Sequence, residues 1–433
     1  MDNPRALALN SLIKTDTQSC FTNIEINTVL SRAKMEKNDV SLYTLLYLGV
    51  TEKKLYLDYV ISQYSTTPLD KIDVETINVL RLGIYQLMFT DRIPDYSAVN
   101  ESVALAPKRS KGFVNAVLRE LLRKNKAVTL PSDRWERLCL TYSVPTELAE
   151  IFKHSYGEGE AEQIISYEDK SHGVSLRVNT LMVDYERAVD LLTKRGCKIE
   201  KSKIASDVII CQSPVSEIGD LIDGGLFFVQ DESSRICAQI MDAKSTERIL
   251  DACACPGGKT FSMAIDMGND GSILACDLHK NKLSLITKGA DRLGIEIIKV
   301  KEQNGKNYSE EYESSFDKVL CDVPCSGLGV IFKKPDIKYK SVDDINSLPR
   351  VQFDILSNCA RYVKAGGILV YSTCTLNKAE NEENVLKFLK ENGNFVPVDF
   401  EIGEIKSKEG MFTFLPHKTE TDGFFVAKLM RVQ

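Results

Sequence analysis

The 433-residue chain is 43% hydrophobic and 27% charged, a composition of folded soluble proteins, and its length points to two or three domains rather than one core. No apolar run is long enough to span a bilayer, and the opening MDNPRALALNSLIK has Asp2 at its head and no continuous apolar core, so it does not read as a secretory leader; no membrane partner and a cytoplasmic location are expected. A net charge of −6 excludes an overall basic footprint for nucleic acid and leaves only local clusters: Lys108, Arg109 and Lys111; Arg119, Arg123, Lys124 and Lys126; Lys333, Lys334, Lys338 and Lys340.

In chain order, residues 1 to 130 read as helical throughout. Ser41 to Gln63 and Val74 to Thr90 repeat apolar residues at three- and four-residue spacing, and Lys111 to Lys124 reads as another amphipathic helix. Pro94 and Pro107 punctuate the connections. Residues 131 to 225 change character: helices around Trp135 and over Leu148 to Tyr156, a strand at Val174 to Val178, a helix at Tyr185 to Arg195 and a strand at Asp207 to Cys211 predict a small α+β module. Residues 226 to 433 alternate strand and helix. Strands are expected at Arg248 to Ala252, Ser272 to Cys276, Ile297 to Val300, Lys318 to Cys321 and Ile368 to Ser372. Helices are expected at Thr260 to Met267, Lys280 to Leu293 and near Gln352 to Tyr362, with a last strand in Gly423 to Arg431. Such alternation predicts an α/β domain with a parallel sheet covered by helices on both faces.

The twelve cysteines lack paired C-x2-C spacing and histidines number only four, so no metal site is expected and the cysteines read as thiols. Three stretches concentrate chemistry. Asp251-Ala-Cys-Ala-Cys-Pro-Gly-Gly-Lys-Thr260 follows the first parallel strand and opens a helix, where glycines admit a ligand close to the backbone and the helix N-terminus offers unpaired N–H groups. It is neither a Walker loop nor a G-x-G-x-x-G fingerprint. The second strand ends at Asp277, whose carboxylate can accept both ribose hydroxyls of a nucleoside cofactor or cap the next helix. Asp322-Val-Pro-Cys-Ser-Gly327 ends the fourth strand and Tyr371-Ser-Thr-Cys-Thr375 the fifth. In an open parallel sheet the ligand crevice lies at the carboxyl ends of the strands, which predicts Asp322, Cys325 and Cys374 around one pocket.

DACACPGGKT, FDKVLCDVPCSGLGV and YSTCTLNKAENEENV, in this order, resemble the cofactor segment, motif IV and motif VI of the Sun family of RNA cytosine-5 methyltransferases, and FFVQDESS and LPHKTETDGFFVAKLMR extend the likeness. RLGIYQLMFTDRIP and KGFVNAVLREL in the helical front resemble a NusB-like RNA-binding domain; the fusion is similar to the Sun/Fmu type that acts on 16S ribosomal RNA. The resemblance implies a NusB-like domain over 1–130, an α+β RNA-binding or linker module over 131–225, and a Rossmann-like class I methyltransferase domain over 226–433. It implies S-adenosylmethionine as cofactor, held by Cys253, Ala254, Cys255, Pro256, Gly257, Gly258, Lys259, Asp277 and Asp322, with Asn304 standing where the family has an acidic residue near the adenine. Cys374 is then the nucleophile that adds to carbon 6 of cytosine, because carbon 5 alone is too weak to attack a sulfonium methyl. Asp322 holds or protonates N3, and Cys325 assists release. The DNA-acting relatives use the motif-IV cysteine, so the reverse assignment is the alternative.

A target base must leave its stack, so the expected partner is 16S ribosomal RNA, single-stranded or unfolded at the target, bound by a monomer. Lys333, Lys334, Lys338 and Lys340, which follow motif IV, are expected at the pocket mouth against the RNA backbone; Arg177 and Asn179 of RVNTL, in a segment that resembles one near the family's active site, are further RNA-binding candidates. Two rival readings are a transfer-RNA methyltransferase and a non-catalytic RNA-binding or antitermination protein built on the helical front.

Overall fold

The computed structural model describes residues 2–18, 21–168 and 173–433. The chain forms two compact units, one of residues 1–166 with 331–340, the other of residues 167–330 with 341–433.

The first unit is helical. Its helix Val74–Phe89 is buried along most of its length, and Asp73 caps it by accepting the N–H of Thr76. A guanidinium lies inside this core. Arg81 is 5% exposed and donates a fork to Asp58, at 2.6 and 2.8 Å, and a third bond to Asp16 at 2.7 Å, which offsets the cost of burying it. The helix Lys37–Glu52 passes so close that a Cβ on Gly49 would lie 2.0 Å from the Tyr85 hydroxyl. The periodic stretch Ser41 to Gln63 is two helices, breaking at Lys53 before Lys54–Tyr64. The cause is remote in sequence: the Ser143 hydroxyl accepts the N–H groups of Leu55 and Tyr56, at 2.9 and 3.3 Å, capping the second helix. The helices Arg134–Thr141 and Thr146–Tyr156, expected in the middle module, belong to this unit, as does a further helix, Glu158–Ile165.

The second unit holds two sheets. Strands β1 (Val174–Val178), β2 (Ile199–Lys201), β3 (Val208–Cys211) and β4 (Phe227–Val229) form an antiparallel sheet in the order β2-β3-β1-β4. Five parallel strands follow: β5 (Arg248–Asp251), β6 (Ser272–Asp277), β7 (Ile298–Glu302), β8 (Phe316–Asp322) and β9 (Val363–Thr373). Then come β10 (Phe395–Pro397), a small pair β11 (Glu401–Ile402) and β12 (Ile405–Lys406), β13 (Met411–Phe414) and β14 (Phe424–Arg431). The large sheet runs β10-β14-β9-β8-β5-β6-β7 with β13 beside β14, so the parallel sheet carries an antiparallel edge. Both faces are apolar: Ile249, Ala275, Leu320 and Val370 join one cluster, Leu250, Cys276, Val319, Cys321 and Leu369 another.

A four-residue ionic network ties the two sheets of this unit. Arg177 on β1, 1% exposed, lies 3.0 Å from Asp207 and 3.2 Å from Asp266; Arg235, 3% exposed, reaches the same carboxylates at 2.7 and 2.6 Å. Burial and the Arg235 charge nevertheless push the Arg177 guanidinium down to about 10. Asn179 is fully buried and donates to the carbonyls of Gly225 and Leu293, both at 2.9 Å. These placements correct the expectation for RVNTL: Arg177 and Asn179 hold the interior together and present nothing to RNA. Arg177→Met should therefore cost about 3 kcal/mol of stability, because two partly exposed carboxylates would share one partner. Urea denaturation of the full chain should show this, and an unchanged midpoint would contradict the network's role.

Candidate active site

Because β5 to β9 run parallel, their carboxyl ends share one edge of the sheet. From β5 the chain turns through residues 252–257, with Gly257 at φ +113°, into the helix Gly258–Asp266. A Cβ on Gly257 would meet the Phe261 ring at 2.5 Å, so only glycine fits there. Asp277 ends β6 with its carboxylate fixed by two backbone N–H groups, Cys255 at 3.3 Å and His279 at 2.9 Å. The N-cap of the next helix, Lys280–Leu293, is His279, so the expected capping role does not fall to Asp277. Asn304 lies two residues beyond Glu302, the register partner of Asp277, and its amide oxygen accepts the N–H of Lys306 at 3.0 Å. In the same region Gln230 is 5% exposed: its oxygen accepts from Ser262 at 2.6 Å, while its buried amide nitrogen has no hydrogen-bond partner and lies 3.7 Å from the place of a Cβ on Gly258. A buried donor without a partner beside a glycine turn is what a polar ligand would complete.

Asp322 ends β8 with both oxygens engaged, one by Lys259 Nζ at 2.6 Å and one by Ser372 Oγ at 2.8 Å. Burial alone would lower the Lys259 ammonium, but the Asp322 carboxylate outweighs it and holds the group above its ordinary value. The two cysteine sulfurs lie 3.2 Å apart, Cys325 on the loop after β8 and Cys374 directly after β9. Sharing that contact with Cys374, and burial after it, push the Cys325 thiol well above its ordinary value. Gly329 N–H donates to the Cys374 carbonyl at 3.0 Å and Gly423 N–H to the Gly329 carbonyl at 2.9 Å, locking the loop against β9 and the start of β14. Cys253 and Cys255 are also kept as thiols, mainly by burial, with Cys255 near 12. Cys20 lies outside the described residues; every described cysteine is unbridged, and among these residues no cluster of His, Cys, Asp and Glu could hold a metal ion.

The structure thus brings Asp322, Cys325, Cys374, Lys259 and the 253–258 turn to one edge. The basic segment after motif IV, residues 331–340, groups with the first unit. Lys333 and Lys334 are exposed, but Lys338 is 5% exposed with its ammonium on the Tyr142 carbonyl at 3.1 Å, and burial lowers it to about 8. That corrects the reading of Lys338 as a phosphate contact. Sequence reasoning also missed Ser372, Gln230 and the buried Glu380. Small or amide side chains give no periodic signal, and the acidic run around Glu380 reads as a solvated helix start.

A known ribosomal RNA small subunit methyltransferase B, designated probable, from Bacillus subtilis is 36% identical over 440 positions, spanning 99% of this chain and 98% of the relative. The chain belongs to the 16S rRNA methyltransferase RsmB/F family. The family's own profile matches residues 238–430, preceded by a NusB family match at 2–123 and a ferredoxin-like domain of RsmF/B-like methyltransferases at 144–217. The Escherichia coli ribosomal RNA small subunit methyltransferase B is 31% identical, covering 92% of each chain. The crystal structure of PH0851 matches at a TM-score of 0.83 with 26% identity, covering 100% of this chain and 99% of that one. The RsmB/F order of helical NusB domain, small antiparallel module and methyltransferase sheet is the order expected from the sequence.

One RsmB/F side chain at this edge titrates unusually. Asp251 is 1% exposed and accepts from Thr260 Oγ1 at 2.7 Å, and burial raises it to about 7. A carboxyl with a folded pKa above its unfolded value stabilises most below about pH 4, and that contribution is lost as pH rises through 7. Asp251→Asn lacks the titration. Between pH 5 and pH 8 the natural chain should lose about 2–3 kcal/mol relative to this variant. Thermal melts at both pH values check this; a constant difference would remove Asp251 as the titrating group.

Proposed function

We propose that this chain transfers a methyl group to carbon 5 of a cytosine in 16S ribosomal RNA through a covalent adduct with Cys374. The observation that carries the reading is the pair of sulfurs at 3.2 Å beside the Lys259–Asp322 ion pair, at the carboxyl edge of the sheet. The relatives named as ribosomal RNA small subunit methyltransferases supply the substrate class.

S-adenosylmethionine, when bound, supplies an electrophilic methyl group. The side chains at the edge suit it. Asp277, half-buried and pinned by two N–H groups, is the acceptor for ribose hydroxyls, the turn before the helix Gly258–Asp266 lets a ligand approach the backbone, and the unpartnered Gln230 nitrogen offers a donor. Asn304 takes the adenine edge, since an amide both donates and accepts. Cys374, as thiolate, adds to carbon 6 of the ring and makes carbon 5 nucleophilic. Asp322, when it carries a proton, donates it to N3, and the adjacent Lys259 ammonium stabilises charge that develops there. After methylation the carbon 5 proton passes to a base, its electrons restore the ring double bond, and the carbon 6–sulfur bond breaks. Cys325, in contact with the departing sulfur, assists that step. Lys333 and Lys334 are the exposed basic candidates for backbone contact.

Tritium release from RNA labelled at carbon 5 of cytosine tests the reading. Release from 16S RNA and not from transfer RNA is expected. Release from transfer RNA alone would replace the substrate, and none from either would leave an RNA-binding protein without this chemistry. Asp277→Ala should weaken S-adenosylmethionine by about 1.5–3 kcal/mol, the worth of hydrogen bonds to a charged group. Calorimetry that finds equal affinity in the folded variant would take Asp277 out of the site.

A further inference from the structure

Behind the two cysteines lies a carboxylate that the mechanism above does not use. Glu380 is fully buried and meets four donors: Ser326 N–H at 2.9 Å and Gln352 Nε2 at 2.8 Å on one oxygen, Ser326 Oγ at 2.6 Å and Asn377 Nδ2 at 3.1 Å on the other. Its own carbonyl accepts from the Tyr371 hydroxyl at 2.6 Å. Ser326 follows Cys325 directly, and its hydroxyl also touches Thr375 Oγ1 at 2.6 Å, next to Cys374. Since a carboxylate only accepts, Ser326 must donate to Glu380 and Thr375 must donate to Ser326. The chain of bonds therefore has one direction and reaches from the residue beside one cysteine to the residue beside the other. Gln352 extends it by donating also to the Pro324 carbonyl at 3.0 Å. Asn381 repeats the pattern around Cys374, accepting from Thr373 Oγ1 at 2.6 Å and donating to the Thr375 carbonyl at 2.9 Å.

We propose that Glu380 is a positioning residue that fixes the spacing and orientation of Cys325 and Cys374 by clamping the two residues that follow them. The proposal rests on the two-cysteine reading given above. Isolated burial of a carboxylate is costly, and a fully buried one persists when its donors are complete, as here. A purely packing role would be served by an apolar side chain of similar volume, whereas this group joins the two loops that carry the reactive sulfurs. Its negative charge also adds to the forces that keep the Cys325 thiol protonated, after the Cys374 contact and burial.

Glu380→Gln tests the clamp, because the side chain keeps its size but turns one oxygen into an NH2 facing donors only. Two readouts on the folded full chain decide it. In steady-state tritium release, kcat should fall by about 100-fold, the scale of an ångström-sized misplacement of reacting groups, with KM for RNA and S-adenosylmethionine nearly unchanged. In iodoacetamide labelling without RNA, followed by mass spectrometry of each cysteine peptide across pH, the ratio of Cys374 to Cys325 rates and its pH profile should change. Glu380→Asp, which keeps the acceptors, should recover part of both. A variant with the natural kcat and labelling ratio, or activity lost only in proportion to the unfolded fraction, overturns the proposal. If Glu380→Gln does not fold, Ser326→Ala deletes the shared hydroxyl and must shift the labelling ratio in the same sense, or the proposal fails. Labelling needs no RNA, so absent tritium release from the natural chain would sink the catalytic reading and leave the clamp still decided by the ratio.

Discussion

The arrangement depends on the parallel pairing of β8 with β9, in which Asp322 lies opposite Ser372. That register puts the Ser372 hydroxyl on the Asp322 carboxylate and starts two loops from adjacent strand ends. One loop has two residues before its cysteine and the other has none, and the sulfurs meet at 3.2 Å. Side chains alternate across a strand, so a slip of one residue in β9 would carry Ser372 and Cys374 to the wrong faces together. The apolar layers on both faces enforce the register: Val319 and Leu369 in one cluster, Leu320 and Val370 in the other, all interior. The chemistry at the edge is thus secured by hydrophobic packing below it.

Charges inside the molecule show a second constraint. Arg81, Arg177 and Arg235 are each nearly buried, and each forms ion pairs with two carboxylates. Such groups add little net stability over an apolar replacement, but they make any alternative packing costly by leaving a charge unpaired. At the edge the same logic holds: the half-buried Lys259 pairs with Asp322 at the end of β8, and the buried Glu380 accepts from Ser326 in the loop after it. Interior ionic groups tie the elements of each unit, and those at the edge tie the reactive ones.

Much of this was legible in the chain. The helix over Lys280 to Leu293 ends where expected because Gly294, in the left-handed region, terminates it. The strand ends carrying Asp277, Asp322 and Cys374 follow from apolar runs that stop at polar turns. What escaped depends on partners remote in sequence. The break at Lys53 needs Ser143, and the helix Val342–Ala360 begins ten residues before the stretch that its apolar period marks, running through Pro349. Lys338 reads as one of four surface lysines, yet its segment packs with the helices of the first unit. Arg177 and Asn179 stand out in RVNTL as polar residues beside apolar ones, and the structure explains them by burial against carboxylates and backbone carbonyls. Glu380 lies in an acidic run whose composition carries no hint that one member is fully interior.

The central claim is that Cys374 forms the bond to the base and Cys325 serves its release. The most direct measurement is a denaturing gel of RNA, S-adenosylmethionine and each cysteine variant. With Cys325→Ala, addition and methyl transfer proceed while elimination slows, so a protein–RNA band of reduced mobility should accumulate. With Cys374→Ala no such band should form. A band with Cys374→Ala and none with Cys325→Ala would contradict the account and assign the nucleophile to Cys325.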